Sequence, residues 1–171
     1  MAVEIRPATP EDARAIAEVH VASWRWAYRD ILPADVLDDL SVDARADMWA
    51  SVLREPRERS VVLVVADAGA VTGFASAGPS RDPDVPDGTA EVLALYLLES
   101  ATGRGIGRTL FATLLANVGD LGYARSTLWV LDANRRARRF YEVAGWHDDM
   151  ARDLYEVGGH GYPEVRYVVD L

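Results

Sequence analysis

The stretch ATGRGIGRTL (residues 101–110) places Gly103, Gly105 and Gly107 two apart and then opens into an apolar run. Glycine inside a helix costs about 1 kcal/mol relative to alanine, so three of them at a helix start call for a chemical reason. A strand that runs through a glycine-rich turn into a helix N-terminus makes an anion site. The first backbone N–H groups are unpaired, the helix dipole adds positive charge, and no Cβ holds a phosphate away. On this reading Thr102, Gly103, Arg104, Gly105, Ile106, Gly107 and Arg108 form a pyrophosphate cradle, with both arginines as charge partners. The same residues also make a tight strand-to-helix turn that needs no ligand.

Two nucleotide motifs can be tested against the stretch. A Walker loop ends in Gly-Lys-Ser/Thr, and there is no lysine here. The dinucleotide fingerprint wants a small residue at its third helix-facing site, which Leu110 occupies. Other chemistries lack their residues. No Gly-x-Ser-x-Gly elbow or His-Glu-x-x-His helix is present. His20 and His160 have no partners at metal-ligand spacing, so no metal is assigned. His160 does lie in a glycine-rich loop within possible reach of a substrate pocket.

Elements that would position this chemistry can be read along the chain. VEIRP (3–7) reads as a strand, and Thr9-Pro10-Glu11-Asp12 as the start of a helix toward Tyr28. Helical stretches follow at 34–40 and 42–54, then a hairpin of strands 60–67 and 71–78. RDPDVPDG (81–88) reads as a loop, and EVLALYLL (91–98) as a strand buried on both faces. Ile106, Leu110, Leu114 and Val118 repeat every four residues, a helix closed by Gly122. A strand over 126–132, a helix over 134–146 and extended segments near 146–157 and 164–170 complete the chain. The pattern predicts one domain over 1–171 of class α/β, a sheet of about seven strands with helices on both faces.

Composition limits the partners. Acidic residues outnumber basic ones, 27 to 18, for a formal charge of −9, which disfavours nucleic acid and favours a cationic small molecule or peptide amine. No apolar run is long enough for a membrane span. The N-terminus lacks the layout of a signal peptide. Zero cysteines exclude disulfide and thiolate chemistry. A cytoplasmic protein without membrane association is the expectation.

Two segments carry a family resemblance: EVLALYLLESATGRGIGRTL and, downstream, LWVLDANRRARRFYEVAGW. They resemble the GNAT superfamily of acyl-CoA-dependent N-acetyltransferases. The first matches Gln/Arg-x-x-Gly-x-Gly/Ala at a helix start, except that Thr102 replaces the Gln or Arg. The second matches Asn-x-x-Ala-x-x-Phe-Tyr-Glu-x-x-Gly-Phe/Trp from Asn134 to Trp146. Element order fits over nearly the whole chain.

The resemblance implies a GNAT fold, with a mixed, mostly antiparallel sheet, and acetyl-CoA as acyl donor. It implies that Leu95, Tyr96 and Leu97 lie on a splayed strand whose free backbone groups bind the pantetheine arm. Glu91, eleven positions before Thr102, matches a general-base glutamate of some members, acting directly or through water. Tyr141 matches the tyrosine that protonates the departing thiolate, and Asn134 an asparagine near the pantetheine. Trp24, Trp26 and Tyr28 fall where members line the amine-acceptor pocket. The arginines at 135, 136, 138 and 139 read either as a solvated face or as contacts to the adenosine phosphates. Many relatives dimerise, so a homodimer is possible. The implied activity is acetyl transfer to a primary amine by direct attack. Its rivals are a non-catalytic acyl-CoA-binding module and a nucleotide-binding α/β protein.

Overall fold

The computed structural model describes residues 3–171. Its strands are β1 (Glu4–Pro7), β2 (Val61–Asp67), β3 (Ala70–Pro79), β4 (Thr89–Leu97), β5 (Arg125–Leu131), β6 (His147–Val157) and β7 (His160–Asp170). Its helices are α1 (Ala13–Ala27), α2 (Ala34–Asp38), α3 (Val42–Arg54), α4 (Ile106–Asp120) and α5 (Arg135–Val143). All seven strands form one sheet in the order β1-β2-β3-β4-β5-β7-β6, and only the β4–β5 pair is parallel. This is the mixed, mostly antiparallel sheet expected, with helices on both faces. The last strand, β7, starts four residues before the extended segment read from the sequence, whereas β6 keeps its expected bounds. Gly158 and Gly159 both take positive φ and turn a long hairpin between β6 and β7.

The two faces are separate cores. On one, α4 lays Ile106, Leu110, Leu114 and Val118 against Ala75, Ala77, Val92, Leu128 and Val130 of the sheet. On the other, Ile16, Ala17 and Val19 of α1 and Trp49 of α3 pack on Val64, Phe74 and Ala94. Strand alternation sends successive residues to opposite faces. Each helical stripe therefore meets a matching row of strand side chains.

A single irregularity in β4 sets the face on which Glu91 lies. Ser76 pairs with Ala94 but its neighbour Ala77 pairs with Val92, so Leu93 is an extra residue in β4. This bulge breaks the period-2 rule. Val92 and Leu95 both face α4, although three positions apart, while Ala94 and Tyr96 face α1. Plain alternation would group Glu91 with Leu93 and Leu95. The bulge instead groups it with Ala94 and Tyr96, on the face covered by α1 and α3. Leu93 itself is exposed, contrary to a strand buried on both faces.

His20 of α1 ties that face together. Its ring stacks on Tyr96 at 5.4 Å and 16°, and its Nδ1 accepts from the Trp49 indole N–H at 3.2 Å. That bond assigns the neutral ring's proton to Nε2. Burial, then the Arg45 charge, lowers its pKa to about 4. The native ring therefore stays neutral while the unfolded ring takes a proton below pH ~6.5. Acid favours the unfolded chain through this group, so its effect appears as pH falls from about 6.5 toward about 4. Over that window the protein is expected to lose about 2–3 kcal/mol through His20. Urea unfolding across the window should show the loss in wild type and a smaller one in His20→Asn.

Candidate functional site

β4 and β5 pair only from Thr89–Val92 against Arg125–Leu128. Beyond that point they part. β4 continues to Leu97 with only β3 beside it, and β5 turns to β7 through Leu131. Leu95, Tyr96 and Leu97 thus present one backbone edge to open space, as the resemblance implied. A buried backbone edge without partners is unfavourable, so an extended amide-bearing ligand is the natural occupant. A cleft of about 1170 Å³ runs through the gap and joins the two faces.

On the α4 side the cleft is bordered by Thr102, Gly107, Asn134, Phe140 and Tyr141. The glycine turn is built as a cradle. Gly103 and Gly105 take φ of +74° and +80°, and Gly105 is the left-handed N-cap of α4. A Cβ at either would meet nothing within 4 Å, so their glycines answer the backbone conformation and not crowding. Among the described residues, no backbone N–H from 103 to 108 donates a hydrogen bond; the first to do so is Thr109, to Gly105. Unpaired N–H groups at the N-terminus of a four-turn helix fit a pyrophosphate.

The side chains of this loop are otherwise engaged. Thr102 Oγ1 donates to the Glu99 carbonyl at 2.7 Å, closing the turn below the cradle. Arg104 pairs with Asp67 at the end of β2, Nη1 to Oδ2 2.6 Å. Arg108 is exposed with no ion partner among the described residues, which leaves it as the free charge beside the cradle. Asn134 does cap α5: its Oδ1 accepts from the Ala137 N–H at 3.1 Å, worth about 1 kcal/mol. Of the arginine cluster, Arg136 lies over the Trp26 ring at 4.3 Å and Arg138 holds Tyr167 and Asp132. Arg135 and Arg139 are exposed.

Tyr141 sits among Phe111, Phe140 and Trp146, with its ring in the α4-side core and its edge on the cleft. Its hydroxyl has no hydrogen-bond partner among the described residues. Burial, then the nearby Tyr96, pushes its pKa well above the ordinary phenol value. The group is a proton donor that stays protonated at neutral pH and faces the cleft unspent.

The opposite mouth is walled by α1. Trp24 and Tyr28 meet edge to face at 4.9 Å, and Tyr155 of β6 approaches Trp24 at 6.1 Å. Trp24 Nε1 is buried without an acceptor. Trp26 also borders the cleft, beneath Arg136. His160 does not reach it; the ring is exposed at the hairpin turn, with Nδ1 3.0 Å from the Gly158 carbonyl.

Glu91 lies on this α1-side face, as the bulge requires, and only 2% of it is exposed. Both its oxygens are taken. Arg81 donates Nη2 to Oε1 at 2.7 Å and Nε to Oε2 at 3.1 Å, and the Arg81 backbone N–H adds a third bond. Sequence reasoning left Arg81 inside a loop and missed this contact, because nothing local links positions 81 and 91. It likewise missed Tyr155 and Glu164, which register alone brings to the cleft.

Comparison with known proteins gives a consistent picture. Residues 15–146 match the Acetyltransferase (GNAT) family. The uncharacterized N-acetyltransferase YuaI of Bacillus subtilis is 36% identical over 165 residues, covering 95% of this chain and 90% of that protein. Among solved structures, the PaiA N-acetyltransferase of Thermoplasma acidophilum in complex with coenzyme A superposes with TM-score 0.72 at 20% identity, covering both chains fully. The putative acetyltransferase YncA of Salmonella typhimurium, solved with acetyl-CoA, gives TM-score 0.74 at 21% identity, covering 99% of this chain and 94% of that one.

Proposed function

The chain belongs to the GNAT family of acetyltransferases, and on that premise we propose that it moves the acetyl group of acetyl-CoA to a primary amine by direct attack. The observation that carries this reading is the cleft through the β4–β5 gap. It has a phosphate cradle and an unspent phenol on one side, and an aromatic mouth on the other.

The residues fit the donor part by part. Backbone N–H groups of 103–108 take the pyrophosphate, with Arg108 beside them, while Arg104 is held by Asp67. The open edge at Leu95, Tyr96 and Leu97 takes the pantetheine amides, with the Asn134 amide alongside. Backbone donors on that edge polarise the thioester carbonyl. Tyr141 then protonates the leaving sulfur: burial keeps the phenolic proton in place beforehand, and the same burial raises the basicity of the thiolate that must take it. The amine enters from the Trp24–Tyr28 side and must first lose a proton. Glu91, the carboxylate matched to a family base, faces the right side. Base work by Glu91 requires Arg81 to release at least one of its oxygens.

Release of free thiol from acetyl-CoA, measured against a panel of polyamines, amino acids, aminoglycosides and peptide N-termini, tests the reading. Turnover with one of these classes, alongside calorimetric binding of coenzyme A, is the expected result. Binding of ATP or NAD in preference to coenzyme A would overturn it. Binding of coenzyme A with no turnover on any amine would favour a non-catalytic acyl-CoA module.

A further inference from the structure

The α1-side floor of the cleft is rich in carboxylates, and they are not equivalent. Register puts Glu91 of β4 beside Thr127 of β5, and Glu164 of β7 beside both Leu131 of β5 and Asp153 of β6. Val165 and Tyr167 belong to the α4-side core, so Glu164 and Arg166 face the other way, toward the cleft mouth. The loop between β3 and β4 adds Arg81, Asp82 and Asp84.

Two arginines serve most of these acids. Arg81 occupies both oxygens of Glu91. Arg166 takes Asp84 through both terminal nitrogens, Asp149 through Nε, and lies 3.3 Å from Asp82. Asp153 accepts the next backbone N–H, from Leu154, at 2.8 Å. Glu164 is left over. It is half-buried and borders the cleft, and its carboxylate makes no hydrogen bond or ion pair among the described residues.

We infer that Glu164, and not Glu91, is the carboxylate that takes the proton from the acceptor amine, with Glu91 serving to hold Arg81. This rests on the acetyltransferase reading above. A general base works best with an oxygen not already held by a cation; both oxygens of Glu91 are bonded to Arg81, and neither oxygen of Glu164 is bonded among the described residues. Its surroundings suit the task as well. Burial raises its pKa, the charges of Asp153, Glu91 and Asp82 raise it further, and only Arg81 opposes them. Tyr155 on β6 also senses its charge. A carboxylate moved toward neutral pH is a better proton acceptor than an ordinary surface glutamate.

The proton balance closes. As the nitrogen bonds to the acyl carbon and the carbon–sulfur bond breaks, the acceptor ammonium gives up two protons in all. One passes to a Glu164 oxygen, directly or through water, and from there to solvent. The other balances the proton that Tyr141 lends to sulfur and regains through solvent.

Glu164→Gln and Glu91→Gln, each compared with wild type on the best amine of the panel, separate the two carboxylates. Glu164→Gln is expected to lower kcat/KM at neutral pH about 10²-fold and to erase the acidic limb of its pH profile, with coenzyme A binding and thermal midpoint retained. Glu91→Gln should keep the limb but move it to lower pH, because the released Arg81 then acts on Glu164. An acidic limb lost in Glu91→Gln and kept in Glu164→Gln would overturn the inference, as would a limb intact in both. A second readout does not need turnover. Carboxyl ¹³C titration of glutamate-labelled protein, assigned by the signal missing from Glu164→Gln, should place Glu164 above the ordinary glutamate value of about 4.3. Titration at or below that value overturns the inference even if no amine is acetylated. Absence of turnover with a raised Glu164 value would sink the enzyme reading alone.

Discussion

Replacing Tyr141 by Phe is expected to lower kcat about 10²-fold or more while leaving coenzyme A binding almost unchanged. The phenol ring is held by Phe111, Phe140 and Trp146, and phenylalanine keeps all of those contacts. Among the described residues the hydroxyl has no partner to be orphaned by its removal. Stability therefore has little reason to change, and a loss of rate reports on chemistry. The loss should fall on kcat and kcat/KM together, because a proton given to the departing sulfur matters only in the transition state. Steady-state kinetics with calorimetry of coenzyme A binding make the measurement. An unchanged kcat would remove Tyr141 from the mechanism. Equal loss of binding and rate would assign it to cofactor binding instead.

Arg166→Leu is expected to cost about 3 kcal/mol of folding stability, in the range for breaking a buried ion pair from one side. Only 7% of the Arg166 side chain is exposed. Its guanidinium lies 5.5 Å from the Trp129 ring, and Trp129 in turn donates its indole N–H to Asp82 at 3.0 Å. Leucine would fill much of the volume but leave Asp82 and Asp149 facing one another without a cation. The sign of the pH response comes from Asp84, which Arg166 also holds. Hydrogen bonding to Arg166 holds the Asp84 carboxyl below its usual pKa, despite an opposing contribution from burial. In wild type that stabilisation is present above the unfolded value near 3.9 and is lost as pH falls through the lower folded one. The variant has no such ion pair to lose. Its deficit should therefore hold from neutrality down to about pH 4 and narrow only below it, as Asp84 takes up a proton in wild type. Urea unfolding at several pH values checks both the size and the trend. A deficit independent of pH would mean that packing, and not charge, carries the role. The same variant frees the loop that carries Arg81, so the acidic limb of kcat/KM should also shift.

Tyr141 and Arg166 differ in how far local sequence reaches them. Tyr141 could be singled out because the residues that carry the family resemblance, Asn134, Ala137, Phe140 and Gly145, surround it within one short segment; helical periodicity alone places it in the core. The glycine cradle was legible for a similar reason. Positive φ at Gly103 and Gly105, followed by free N–H groups, depends on a handful of consecutive residues. Element order and the amphipathic stripe of α4 also follow from periodicities within single segments.

Arg166 and Glu164 could not be read that way. The charged groups around them lie on other strands and on a loop more than eighty positions away, and a β-register is set by the whole sheet. Leu93 shows the same limit on a smaller scale. EVLALYLL carries no mark of a bulge, yet one extra residue turns Glu91 onto the face of the sheet covered by α1 and α3. Short-range backbone chemistry written into the chain thus determined the glycine turn with its free N–H groups and the short helix that carries Tyr141. Tertiary structure alone decided which carboxylate is free, because that depends on which arginine each acid meets after the strands have paired.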